Sequence, residues 1–516
     1  MGKIASRFSV KDWAEKYGSD FFLLLLYGYL CVSIYSRAYL RGAYIEPDSS
    51  AYMRQALNLA SGNGFSYDGL AGYHSWFAWW PIFYPVLIML TMLTTGTEVY
   101  LASKILTMVI AGLILLIFRK CFGKNAWVYG LCLTNLGFLK IFYGTLSEIP
   151  FMLFLLCFGL VLAKILKEGN LGVTWYIALS ITGLGCFLTR YFGAYVWIVT
   201  GLYILVLFMR FLKRKEKECF YKAIKLSVTA FISGCLCLAY LLMNKIMNGA
   251  ATGMSRTLWW DDYRLLTNDL IESLLTEFFN IFSLQIPVLL DEFPFGLKAL
   301  VVVGIITGVA RFVSKNGKHF SRESVLITMA VMYDIIFICI RYFSSMDTFS
   351  YRFFEPATFI LCIGLIGLLL PYLKGKSLFH YFAGMSTILI VFSIGTIFIN
   401  GGMDSSDNYY EALRQQWKDA YSEIPERSVI AFTGIDFGGS FYRPDVVVKD
   451  IPMENEFDEL EYVYYGSDYL CIRIGDASHM IESGAYRESV VDILDMGLAS
   501  RQEGDEFIVI PLKNNK

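Results

Sequence analysis

Asp48 and Tyr52 stand four residues apart, just after Tyr44-Ile45-Glu46-Pro47. Small and apolar positions recur there at helical spacing (Ala51, Tyr52, Ala56, Leu59, Ala60) up to a break at Gly62-Asn63-Gly64. Residues four apart share one face of a helix, so both side chains project together. A carboxylate so placed suits general-base work on a hydroxyl within hydrogen-bond reach. Equally, Asp48 or Ser49 caps the helix start. A second acid, Glu148, sits in Gly144-Thr145-Leu146-Ser147-Glu148-Ile149-Pro150, ahead of an apolar run. There an acid is either a solvated helix-start residue or a functional group. Arginines stand at similar edges: Arg190 in Leu188-Thr189-Arg190-Tyr191, Arg341 closing one run, and Arg352 in Tyr351-Arg352-Phe353-Phe354-Glu355-Pro356 opening the next. Singly, each can snorkel to an interface. Together, their planar donor forks suit a phosphate headgroup.

The elements that must position these residues follow from composition. Of 516 residues, 56% are hydrophobic and only 17% charged, with mean hydropathy +0.51. Ordinary globular domains are about a quarter charged. Such a chain has too little polar surface to cover itself in water and belongs in a membrane. Disorder, a disulfide scaffold and nucleic-acid binding are excluded. Cysteines such as Cys31, Cys157, Cys235, Cys237 and Cys339 lie inside apolar runs and read as small buried hydrophobes, without metal-type spacing. The net charge of −1 is a cancellation: residues 403–516 carry 23 acidic and 10 basic residues, the rest 34 basic and 22 acidic. The expected division is a membrane body, residues 1–402, and a soluble acidic domain, residues 403–516.

Spanning takes about 20 apolar residues. Runs occur near 20–40, 98–118, 125–143, 149–167, 171–189, 191–210, 221–243, 295–312, 324–341, 353–371 and 378–400. The first is too long for a signal-peptide core and lacks a cleavage site, so it reads as a retained span. The segment Trp79–Thr95 is shorter and carries Pro81 and Pro85. If it does not cross, Lys3/Arg7/Lys11/Lys16, Arg119/Lys120/Lys124, Lys164/Lys167, Arg210–Lys217, Lys315/Lys318/Arg322 and Lys374/Lys376 all fall on one side. That is the cytoplasmic side. The expectation is about eleven spans, the N-terminus inside and the tail outside. Segments 41–97, 143–148 and 244–294 then share the outer face, which brings Asp48 and Glu148 together although neither entered the topology. His74 is that face's only histidine in the body, and Trp259-Trp260-Asp261-Asp262 offers a sugar-stacking surface against the plainer reading of an aromatic belt.

The tail alternates short β-type runs (428–432, 445–448, 462–465, 469–474, 507–510) with helical stretches at 408–420 and 487–496. It reads as a small α/β domain.

With these residues in order, the chain resembles the bacterial GT-C glycosyltransferases, polytopic enzymes that take sugars from polyprenyl-phosphate carriers. The protein O-mannosyltransferase and aminoarabinose transferase group is the nearest likeness. The matching elements are Asp48…Tyr52, Gly62-Asn63-Gly64-Phe65, Trp80-Pro81-Ile82-Phe83-Tyr84-Pro85, Ser147-Glu148, Thr189-Arg190-Tyr191 and Arg352…Pro356. They cover residues 20 to about 400. The family often has Asp-Glu at its first site; here Ser49 follows Asp48, and Glu46 is the nearest other acid. The resemblance implies a multi-pass protein of the cell (inner) membrane with outer juxtamembrane helices. It implies inverting transfer to an extracytoplasmic hydroxyl of a glycan, lipid or protein. Asp48 would act as base and Glu148 orient the acceptor or assist. Arg190 and Arg352 would stabilise the leaving phosphate, and Tyr52 would pack the helix against the membrane body. From the residues themselves, Arg341 is a further candidate for the phosphate, and Glu46, Tyr52, His74, Trp259 and Asp261 are candidate substrate contacts. The lipid-linked sugar is a substrate, and no resident cofactor or metal is expected. The rival expectation is a transporter or lipid-linked-sugar flippase, which predicts internal repeats and midplane polar groups. No repeat is visible, and Asp334 is the main acid away from a span end.

Overall fold

A computed structural model describes residues 10–39, 47–67, 75–169, 171–252, 263–281, 293–317, 320–344, 349–373, 419–433, 446–451, 466–482, 488–500 and 507–512, with 384, 387–388 and 390–391. The protein is a multi-pass helical membrane protein: among the described residues, eight helical segments are long and apolar enough to cross a bilayer. The body runs α1 (Val10–Ser33), α2 (Pro47–Ala60), a two-stranded ribbon β1–β2 (Ser66–Tyr67, Ser75–Trp76), α3 (Phe83–Thr95) and α4 (Val99–Phe122). It continues with α5 (Ala126–Gly130), α6 (Leu136–Tyr143), α7 (Glu148–Lys167), α8 (Val173–Thr189), α9 (Tyr195–Arg214) and α10 (Lys217–Asn248). Then come α11 (Tyr263–Ile281), α12 (Phe295–Asn316), α13 (Arg322–Phe343) and α14 (Tyr351–Leu373).

The run expected near 125–143 is broken. Asn135 turns extended, and its side chain accepts from the Phe138 backbone N–H to start α6 afresh. The run near 171–189 makes a helix of 17 residues. The run near 378–400 lies almost wholly outside the described residues. In the segment Trp79–Thr95, α3 has 13 residues, about 20 Å of helix against an apolar thickness of about 30 Å. It stops at Gly96, whose φ of 66° closes the helix in the left-handed region.

Helices in lipid associate through packing and polar contacts rather than hydrophobic transfer, so burial shows which are central. Of the apolar stretch of α14, 72% is buried, and of α7 67%, against 11% for α12. The two central helices both begin at one end of the bundle, where α8 finishes. A residue in the first turn of α7 or α14 therefore lies beside one at the end of α8.

In the tail a four-stranded sheet has the order β4 (Val447–Ile451), β3 (Val429–Thr433), β5 (Tyr469–Arg473), β6 (Phe507–Pro511). The pairs β3–β4 and β3–β5 are parallel, and β5–β6 is antiparallel. Helices α15 (Ile474–Glu482) and α16 (Glu488–Ser500) connect β5 to β6. The α/β reading holds for four of the expected strands and for the helix near 487–496. The strand at 462–465 and most of the helix at 408–420 fall outside the described residues, as does the expected boundary at 402.

Candidate active site

Four charged side chains from four parts of the chain meet at the end of the bundle where α7 and α14 begin. Asp48 lies in the first turn of α2. Its partner is not its own helix: Arg352 Nη2 donates to Asp48 Oδ2. Ser49 is fully buried, and its hydroxyl finds no hydrogen-bond partner. Arg352, in the first turn of α14, also sends Nε to Glu148 Oε1 at 2.6 Å. Arg190 Nη1 meets that same Oε1 at 2.6 Å. Glu148 is fully buried, whereas the Asp48 side chain is 25% exposed. One guanidinium thus bridges an enclosed carboxylate and an accessible one, and a second guanidinium braces the enclosed one.

The local backbone explains how each side chain arrives there. Arg190 is the extended residue after α8, its N–H bonded to the Cys186 carbonyl at 3.1 Å. The short helical turn that follows packs onto the end of α8 through Gly193, where a Cβ would lie 2.2 Å from the Cys186 oxygen. Glu148 opens α7 after a turn held from three directions. Lys104 Nζ donates to the Tyr143 carbonyl at 2.6 Å and to Thr145 Oγ1 at 3.0 Å. Ser103 and Thr145 share a hydroxyl contact of 2.9 Å. Tyr52 O–H donates to Ser147 Oγ at 2.9 Å. Tyr52 also packs against Trp80 and Tyr84, with ring centroids 5.5 and 5.1 Å away, which fixes α2 against α3. Burial, followed by the charges of Asp48 and Glu148, pushes the Tyr52 phenol up, so it stays a neutral donor. Burial opposes the charge on Arg190, but its neighbours, Glu148 foremost, hold the guanidinium more firmly protonated than usual.

The structure therefore brings together Asp48, Glu148, Arg190 and Arg352, with Tyr52 alongside. Arg341 has no described contact with these four. It is buried at the end of α13, with Nη1 donating to the Ser344 carbonyl at 3.3 Å and its charge felt by Asp269 of α11. These contacts tie it to α11 and to the end of its own helix. Glu46, His74, Trp259 and Asp261 lie outside the described residues. Lys104 went unremarked in the sequence, although a lysine six residues into α4 is itself a signal, because charge inside an apolar span is costly without a task. Among the described residues, no group of three or more His, Cys, Asp or Glu is placed to hold a metal ion.

No family model matches the sequence, and no curated protein matches it. Solved structures do. ArnT from Cupriavidus metallidurans bound to undecaprenyl phosphate is 11% identical, covering 98% of each chain with a TM-score of 0.46. The Archaeoglobus fulgidus oligosaccharyltransferase in the apo form is 11% identical, covering 90% of this chain and 71% of that one, with a TM-score of 0.49. AglB of Archaeoglobus fulgidus, in complex with an inhibitory peptide and a dolichol-phosphate, is 11% identical over 90% and 70%, with a TM-score of 0.48.

Proposed function

We propose that the chain is a membrane glycosyltransferase that moves a sugar from a polyprenyl-phosphate carrier to an acceptor hydroxyl, with inversion at the anomeric carbon. One observation carries the reading: two guanidiniums converge on a fully buried carboxylate, with a second, accessible carboxylate at their edge. At the end of a lipid-embedded bundle, this pairs a grip for a lipid-borne phosphate with a base for a hydroxyl.

In the proposed reaction the acceptor oxygen attacks the anomeric carbon while Asp48 takes its proton. The bond from that carbon to the phosphate oxygen breaks, and its electron pair stays on the phosphate. Charge therefore develops at the phosphate, where Arg190 and Arg352 stabilise it in a site shielded from water. Glu148, with Oε1 shared between both arginines, acts as their anchor rather than as a base. Positive loops facing the cytoplasm would set this end of the bundle on the extracytoplasmic side.

The test supplies purified protein in liposomes with a panel of polyprenyl-phosphate sugars and acceptors. Release of polyprenyl phosphate with an inverted product supports the reading. A second reading, a transporter or lipid-linked-sugar flippase, is favoured by the buried acids Glu277, Asp334 and Glu355, which lie outside the four-charge cluster. Movement of labelled lipid-linked sugar across the bilayer, with no release from any donor, would select it.

A further inference from the structure

The same four residues carry one more inference, which rests on the transferase reading. We propose that the Arg352–Asp48 ion pair is a latch opened by the donor: Arg352 holds the base until the donor's phosphate takes Asp48's place on Arg352 and frees it to act.

Charge counting gives the first reason. Arg190 and Arg352 bring two positive charges, and Asp48 and Glu148 bring two negative ones, so these four side chains balance one another. A phosphate that takes Nη2 of Arg352 must displace Asp48 Oδ2 from it. The second reason is which carboxylate yields. Glu148 has no exposed surface, starts α7 and holds both arginines through Oε1. Asp48 is the accessible one, holds Arg352 alone of the two, and sits in the first turn of its helix. Its helix is pinned one turn further on, where Tyr52 bonds Ser147 and packs on Trp80 and Tyr84. The third reason is chemical. An Oδ2 that already accepts from Arg352 Nη2 is not open to the hydrogen of an acceptor hydroxyl. Once the phosphate takes that Nη2, the restraint ends. Arg352 keeps its Nε bond to Glu148 throughout, so the guanidinium stays in place while its second partner changes. The base is then active only when a donor is bound, and an acceptor or water is not activated beforehand.

The experiment measures binding of farnesyl phosphate, with neutral farnesol as control, to purified full-length wild type and Asp48→Asn, and follows transfer by both. Removing the competing carboxylate should tighten farnesyl phosphate binding about tenfold or more, leave farnesol unchanged and abolish transfer. Unchanged or weaker farnesyl phosphate binding by the variant overturns the latch, as does an equal gain for farnesol. Loss of transfer without tighter binding removes the latch and leaves Asp48 as the base. Tighter binding with normal transfer keeps the competition but removes the base. A wild type that binds farnesyl phosphate no better than farnesol removes both.

Discussion

Arg352 holds two carboxylates with one side chain. Its Nε reaches the enclosed Glu148 and its Nη2 the accessible Asp48, a separation that the edges of a planar guanidinium fork match. Arg352→Lys keeps the charge and loses the bridge. Losing a charge-assisted hydrogen bond of this kind costs about 1.5–3 kcal/mol, so transfer should fall roughly 10- to 100-fold, with donor KM rising more than acceptor KM. Steady-state kinetics with each substrate varied in turn provide the check. Glu148, Arg190 and Arg352 were legible because each stands at the edge of an apolar run, and Asp48 through its helical spacing to Tyr52. Their pairing was not, since no sequence pattern tells Arg352, which joins the cluster, from Arg341, which ends another span and faces α11.

At the scale of elements, the turn from Tyr143 to Glu148 positions the enclosed acid, and Lys104 on α4 holds that turn through a carbonyl and a hydroxyl. Lys104→Met should leave insertion intact while turnover drops about 10- to 100-fold, as misplacing a group near the chemistry does. Donor affinity should move much less, which separate kcat and KM values would reveal. A second contact joins α11 to α14. The carboxyls of Glu277 and Glu355 lie within hydrogen-bonding reach, and Asp334 of α13 adds a third acid nearby. As carboxylates, Glu277 and Glu355 have four oxygens without a donor; a proton between them makes each the other's partner. Burial pushes the Glu277 carboxyl above its usual range, and the neighbouring Glu355 and Thr358 offset only part of that. An acid raised on folding lends stability that is complete below its unfolded value and is lost as pH rises. Glu277→Gln should therefore be more stable than wild type near pH 8 by about 1–3 kcal/mol, with the difference fading towards about pH 5. Thermal midpoints across that range would show the crossover. Helix positions were legible from hydropathy, and α3 from its length and prolines. The break at Asn135 was not, because apolar residues continue on both sides of it and only a capping side chain marks it. The acid pair was equally hidden, with 78 residues separating its members.

At the scale of the whole molecule, a basic helical body carries an acidic tail whose sheet meets the site-bearing helix: Arg54 Nη2 on α2 donates to the Val446 carbonyl beside β4 at 3.3 Å. The expected consequence is that removing residues 403–516 lowers transfer or alters acceptor choice, tested by comparing acceptors with and without the tail. The charge split between body and tail was visible in the sequence. That the tail reaches α2, less than two helical turns from Asp48, was not, since it joins residues 392 apart. Transfer as proposed depends most on Asp48. The most direct measurement is turnover by purified Asp48→Asn with a polyprenyl-phosphate sugar, beside wild type of matched thermal stability. Loss of a general base predicts a fall of about 10²- to 10⁴-fold, and turnover within threefold of wild type would contradict it.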